Sequence, residues 1–249
     1  MSLEERAKTL GMVGLAARWN DWGRQPWVAE LIAAEEQERG HRSEIRRERD
    51  SKVGRYKPLS DYDWNWPRHI DRALIEELVG CGFVKDGTNI VISGQNGVGK
   101  TMIGKNIAGS AVHCGLSVRF LTASALLNDL AAAEGARSLE RRVKKYAGCS
   151  LLAIDEVGYL SYDARYADLL FEVVRRRHEL GRSILITTNK PFAEWGEVFP
   201  NASSVVALVD RLIHRSETVK IDAESYRLRE NRERQASRPR RAEPDPKPV

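Results

Sequence analysis

The octapeptide GQNGVGKT at residues 94–101 constrains this chain more than any other stretch, because it meets the pattern G-x-x-x-x-G-K-S/T at every fixed position. Three glycines, Gly94, Gly97 and Gly99, let consecutive backbone N–H groups turn inward around a phosphate, a path closed to a loop of bulky side chains. Lys100 is then expected to set its ammonium on the β and γ phosphates of a nucleoside triphosphate, and the Thr101 hydroxyl to take one position on Mg2+. The expected binding stretch comprises Gly94, Gln95, Asn96, Gly97, Val98, Gly99, Lys100, Thr101 and Met102. Asn89, Ile90, Val91, Ile92 and Ser93 read as a short buried strand entering the loop, and Ile103, Ile107, Ala108 and Ala111 repeat at helical spacing after it. Strand, glycine loop and helix N-terminus together make an anion site, which a chance match in another fold would lack.

Beyond the loop, strand and helix signals alternate: strands at 117–121, 151–154 and 183–187, helices at 124–133 and 162–180. That alternation predicts an α/β fold with a parallel sheet flanked by helices. The run LLAIDE reads as a buried strand that delivers Asp155 to orient the metal and Glu156 to polarise an attacking water; the competing reading is a strand followed by an acidic turn. Asn189, just after the 183–187 strand, is placed to hold that water and sense the γ-phosphate, although Asn is also a common turn former. On a helix expected at 203–215, Arg211 is a candidate arginine finger for a neighbouring subunit, with Arg215 as the other candidate. A plain surface arginine paired with Asp210 is the alternative. Arg227 is a weaker candidate for a second phosphate sensor.

At 249 residues and 42% hydrophobic content the chain is long enough for one large domain and a small one. No apolar run reaches the roughly 18 residues of a membrane span, and the start MSLEERAKTL is charged, so no membrane association and a cytoplasmic location are expected. Cys81, Cys114 and Cys149 have no zinc or disulfide spacing and read as small core residues. The segment 1–57 reads as a charged helical N-terminal domain in which Leu10, Val13 and Ala17 share one face, and Val28, Leu31 and Ile32 another. Arg42, Arg46 and Arg49 fall on one side of a helix, suited either to phosphates or, with Glu44 and Glu48, to solvent. The aromatics of YKPLSDYDWNW mark the boundary to the main domain at 58–226, and serve either an adenine ring or interdomain packing. In RSLERRVKKY, Leu139, Val143 and Tyr146 form an apolar stripe opposite Arg137, Arg141, Lys144 and Lys145, a second candidate DNA face with no acid evident opposite the lysines. Arg175, Arg176 and Arg177 read as cations at a helix C-terminus. Residues 227–249 read as a basic tail, largely disordered beyond about residue 235. The net charge of +5 gives modest support to a polyanionic partner.

Taken together, GQNGVGKT, LLAIDEVGYL, TTNKPFAEWGEVF and DRLIHRSETVKIDAESYRLRE closely resemble the IstB-like ATPases, helper proteins of insertion-sequence transposition. KPLSDYDWNWP and TLGMVGLAARW extend the resemblance from Leu10 to about Glu230. It implies an AAA+ P-loop NTPase core behind a small helical N-terminal domain, relatives among bacterial helicase loaders and replication initiators, ATP and Mg2+ as ligands, assembly as a homo-oligomer on duplex DNA, and a partner transposase. By the same resemblance Lys100 and Thr101 bind phosphate and metal, Asp155 and Glu156 complete the hydrolytic site, Asn189 is the sensor and Arg211 the finger. The Arg- and Pro-rich tail has no counterpart in the family pattern. Three other readings compete: a helicase loader of the same fold acting in replication, a small-molecule P-loop kinase, for which Glu156 is ill placed, and a DNA scaffold that does not hydrolyse nucleotide.

Overall fold

The computed structural model describes residues 1–159, 164–200 and 203–236. Helices α1 (Leu3–Thr9), α2 (Val13–Ala17), α3 (Trp19–Trp22) and α4 (Pro26–Ser51) precede α5 (Arg72–Val79). The core then runs β1 (Asn89–Gly94), α6 (Lys100–His113), β2 (Val118–Thr122), α7 (Ala123–Ala131), α8 (Ala136–Ala147), β3 (Leu151–Val157), α9 (Ala164–Glu179) and β4 (Ser183–Thr188). It closes with α10 (Trp195–Val198), α11 (Val205–Ile213), β5 (Ser216–Ile221) and α12 (Tyr226–Ala236).

The five strands form one sheet in the order β2-β3-β4-β1-β5, and every pairing is parallel. Because side chains alternate along a strand, Leu152 and Ile154 enter a core with α7, α8, α9 and α11, while Leu151 and Ala153 enter another with α5 and α6. A parallel sheet buried on both faces is what continuous apolar runs such as Leu151–Ile154 require. All five carboxyl ends therefore point to one edge, where an open α/β sheet places its ligand.

The strand at 216–221 is not evident in the sequence. SETVKI carries only two large apolar side chains, Val219 and Ile221, because β5 is an edge strand with one neighbour. In the N-terminal region the chain turns at Gly11 (φ 64°), so Leu15 joins Ala7, Leu10, Val28 and Ile32 in a small core, whereas Val13, Ala17 and Leu31 are exposed, contrary to the faces expected for them. Val53, just past α4, packs into the main core, so the N-terminal region is sewn to the domain that holds the sheet before residue 57. The first part of the expected tail is ordered as α12: Trp66 packs edge-on against Tyr226, and Arg229 stacks on Trp66 at 4.5 Å while pairing with Asp63. Residues 237–249 lie outside the described residues. Cys81 and Cys149 are buried as expected, but Cys114 is exposed at the end of α6. Among the described residues no helix is long and apolar enough to cross a membrane.

Candidate nucleotide site

The glycine loop between β1 and α6 stands at the carboxyl edge of the sheet. Gly97 (φ 82°) and Gly99 (φ 97°) adopt left-handed backbone, and neither tolerates a Cβ. A methyl on Gly97 would meet Ser225 Oγ at 2.3 Å, and one on Gly99 would meet the Tyr62 ring at 2.5 Å. The loop is thus wedged between the aromatic segment before β1 and the turn into α12. Two hydrogen bonds complete the wedge: Tyr62 Oη donates to the Val98 carbonyl at 3.0 Å, and the Tyr226 N–H donates to the Gly97 carbonyl at 3.0 Å. The neighbouring aromatic segment packs on the loop and on α12.

Lys100 is buried, and its Nζ donates to the carbonyls of Gly94 at 2.8 Å and Gln95 at 2.7 Å. It also lies 5.6 Å from the Tyr159 ring centroid. Burial lowers its pKa from 10.5 to about 8; Arg227 adds to the depression, while Asp155 and Glu156 oppose it. Across the loop, Thr101 Oγ1 donates to Asp155 Oδ1 at 3.0 Å, and Thr187 Oγ1 donates to the same oxygen. The Thr187 hydroxyl accepts in turn from the Glu156 N–H at 2.9 Å. Glu156 itself has φ 63°, left-handed backbone that is rare for a non-glycine residue, and the β3–β4 register breaks between Ile154 and Val157. That bulge turns Glu156 out of the ladder into a cleft of about 430 Å³, shared with the loop, Tyr62, Tyr226 and Arg227.

Asn189 follows β4, and its Oδ1 is buried without a hydrogen-bond partner among the described residues. Gly158 lies beside it, since a Cβ there would approach Asn189 Oδ1 at 3.3 Å. These residues fit a triphosphate with its magnesium: an amine held only by loop carbonyls, a hydroxyl and carboxylate oxygen 3.0 Å apart, and one orphaned amide oxygen beside the acidic turn.

Arg211 stands elsewhere. It borders a hollow with Asn89, Ile184 and Arg215, at the amino edge of the sheet, while the glycine loop is at the carboxyl edge. Its Nη1 donates to the Ala207 carbonyl at 2.9 Å and its guanidinium lies 5.0 Å from the Phe171 ring centroid, with no pairing to Asp210 among the described residues. Arg227, by contrast, lines the nucleotide cleft of its own chain.

The basic faces are only partly free. Arg42 pairs with Glu38, Arg49 with Asp50, Lys144 with Glu140 and Lys145 with Asp129, so the lysines of α8 do have acids within reach, one a turn back on α8 and one on α7. Arg46, Arg137 and Arg141 have no carboxylate partner among the described residues. Arg175 and Arg176 pair with Glu172, Glu179 and Glu140. Arg177 is no dipole cap on its own helix: it is fully buried and donates to carbonyls at the end of α8 and the starts of β3 and β4. The role of Thr187 was not evident in the sequence; its one signal is a hydroxyl on the last turn inward of a strand that ends in TTN.

A family model described as IstB-like ATP binding protein matches residues 1–234. The chain belongs to this family. An ATP-binding protein of the insertion sequence IS21 from Pseudomonas aeruginosa is 38% identical over 176 residues, 71% of this chain and 66% of that one. The corresponding protein of IS5376 from Geobacillus stearothermophilus is 36% identical over 73% of this chain and 72% of its own. The chain thus spans about two thirds to three quarters of the length of these two relatives. Among solved structures, DnaI superposes with TM-score 0.55 at 17% identity, covering 70% of this chain and 92% of its own. AMPPCP-bound DnaA from Aquifex aeolicus superposes with TM-score 0.52 at 19% identity, over 71% and 56%. At these identities the likeness is one of fold, and the fold is that of AAA+ P-loop NTPases: the glycine loop and its sheet serve an ATP-binding protein.

Proposed function

We propose that this chain is an ATPase that acts as the helper of an insertion-sequence transposase: ATP bridges subunits into a homo-oligomer on duplex DNA, and hydrolysis loosens the assembly. The observation that carries hydrolysis, as opposed to binding alone, is the Thr187 hydroxyl linking Asp155 to the Glu156 backbone, which sets a metal carboxylate and a free carboxylate side by side at the loop. The insertion-sequence relatives support the transposition context.

In this reading Lys100 exchanges the Gly94 and Gln95 carbonyls for β and γ phosphate oxygens. Thr101 and Asp155 would hold Mg2+, whose charge offsets the negative charge that builds on the phosphates in the transition state. Glu156 orients the attacking water and takes its proton as the oxygen bonds to the γ-phosphorus; the bond to the β–γ bridging oxygen breaks and its electron pair leaves with ADP. Asn189 offers its amide to the same water. Arg211 serves the site of the neighbouring subunit.

Phosphate release measured with and without duplex DNA across salt concentrations tests this. DNA-stimulated release by the unaltered chain, and a DNA-bound assembly trapped in ATP by Glu156→Gln, are expected. Normal assembly of Lys100→Ala on DNA with ATP would sink the switch.

A further inference from the structure

A second concavity, of about 340 Å³, opens where α4 crosses the amino edge of β2 and β3. Its walls carry Arg46 and Arg47 of α4, Arg119 of β2 and Lys145 of α8, against a single carboxylate, Asp50, which Arg49 already engages at 3.0 Å. The three arginines lining this groove have no carboxylate partner among the described residues. Arg47 Nη1 donates to Ser43 Oγ at 2.7 Å, but its Nε is buried without an acceptor; Arg119 reaches only the Asp50 carbonyl, at 3.5 Å. Guanidinium groups from separate elements repel one another, and converging without acids they lower the local cost of a polyanion.

We infer that this groove receives the phosphate backbone of duplex DNA, and that the contact continues along α8 from Lys145 through Arg141 to Arg137. Those nine residues of helix, eight steps of rise, span about 12 Å, several phosphates of a duplex. The inference rests on the DNA reading above and names its surface: a seam between the N-terminal helix and the ATPase core. The geometry removes Arg42, Arg49 and Lys144, each held by a neighbouring acid and standing outside the groove, keeps Lys145, which lines the groove although it also reaches Asp129 at 3.5 Å, and brings in Arg47 and Arg119. A backbone laid in the seam would tie α4 to β2 and so couple DNA to the relative placement of the two parts of the chain.

The test is an anisotropy titration of the full chain, with a non-hydrolysable ATP analogue, against a duplex at several salt concentrations. Each lost phosphate contact removes about 0.9 from the slope of log affinity against log salt, so Arg46→Ala with Arg119→Ala should lower it by about 1.8. Affinity should fall at least tenfold at fixed salt, while Arg42→Ala leaves both unchanged. Should the double variant melt early, the exposed Arg46→Glu alone must still weaken binding. Unchanged slope and affinity in Arg46→Glu and the double variant would overturn the seam while leaving DNA binding standing. Failure of the unaltered chain to bind any duplex would overturn the DNA reading and the seam with it.

Discussion

Thr187 shows how one hydroxyl can govern two carboxylates. It is 1% exposed, and it donates to Asp155 and accepts from the Glu156 N–H. Thr187→Val keeps the volume but leaves that N–H without its acceptor and Asp155 with Thr101 as its one remaining hydroxyl donor. Losing a hydrogen bond to a charged group costs about 1.5–3 kcal/mol, so kcat for ATP hydrolysis should fall by about tenfold or more with little change in KM. Thr187→Ser should recover most of it. Equal loss in Val and Ser, or a rise in KM alone, would show that the hydroxyl does not set the acids. Lys100 gives a second prediction. Its pKa of about 8 in the free protein lies below its ordinary 10.5, and phosphates would restore it upward. Binding should then take up no proton at pH 7 and close to one at pH 9, with affinity weakening roughly tenfold per unit above pH 8. Calorimetry in two buffers of different ionisation heat measures this. The sign for folding is the reverse: the folded chain sheds this proton before the unfolded one does, so stability rises with pH between about 8 and 10.5.

Arg177 plays at the scale of elements what Thr187 plays at the site. Nη1 donates to the carbonyls of Tyr146 at 2.8 Å and Cys149 at 2.9 Å, and Nη2 to those of Ser150 and Ser183, so one guanidinium closes the C-terminus of α8 onto the starts of β3 and β4. Desolvation lowers its pKa, with Cys149 the main opposing influence. Arg177→Leu leaves those carbonyls buried and unpaired, at a cost of about 3 kcal/mol or more, a fall in Tm of about 6–12 °C by calorimetry. Arg177→Lys should rescue little, because an ammonium cannot span both sets. An unaltered melting temperature would remove this account. In the sequence, RRR before Gly181 reads as three equivalent cations; that only the third turns inward depends on the sheet beside it. The glycine loop, the LLAIDE strand and the α/β alternation were legible because each is a local pattern enforced by burial on both faces. The edge strand β5, the bulge at Glu156 and the wedge of Tyr62 and Ser225 on the loop were not, because each arises from segments far apart in the chain, 158 residues apart for Trp66 and Glu224.

For the whole molecule, the parallel topology separates the two halves of the proposed chemistry. Lys100, Thr101, Asp155 and Glu156 gather at the carboxyl edge of the sheet, and Arg211 borders the amino edge beside Asn89 and Ile184. No side-chain motion carries Arg211 across the sheet, so if it acts as a finger it acts on another copy. An interface that joins one edge of a subunit to the opposite edge of the next is heterologous and repeats head to tail. A mixing experiment reads this out. Glu156→Gln, which still assembles, and Arg211→Ala should each be inactive in DNA-stimulated hydrolysis. In a 1:1 random mixture, a site works where an Arg211→Ala subunit lends its intact Glu156 and a Glu156→Gln neighbour lends its intact arginine, so activity should return to about a quarter of that of the unaltered chain. Should Arg211→Ala alone retain full activity, the finger role is gone. Should the mixture stay dead although the two variants co-assemble on DNA, Arg211 is needed within its own subunit, for packing on Phe171, and the trans site is wrong. Repeating the mixture with Arg215→Ala in place of Arg211→Ala tells which of the two arginines at this edge faces the neighbour.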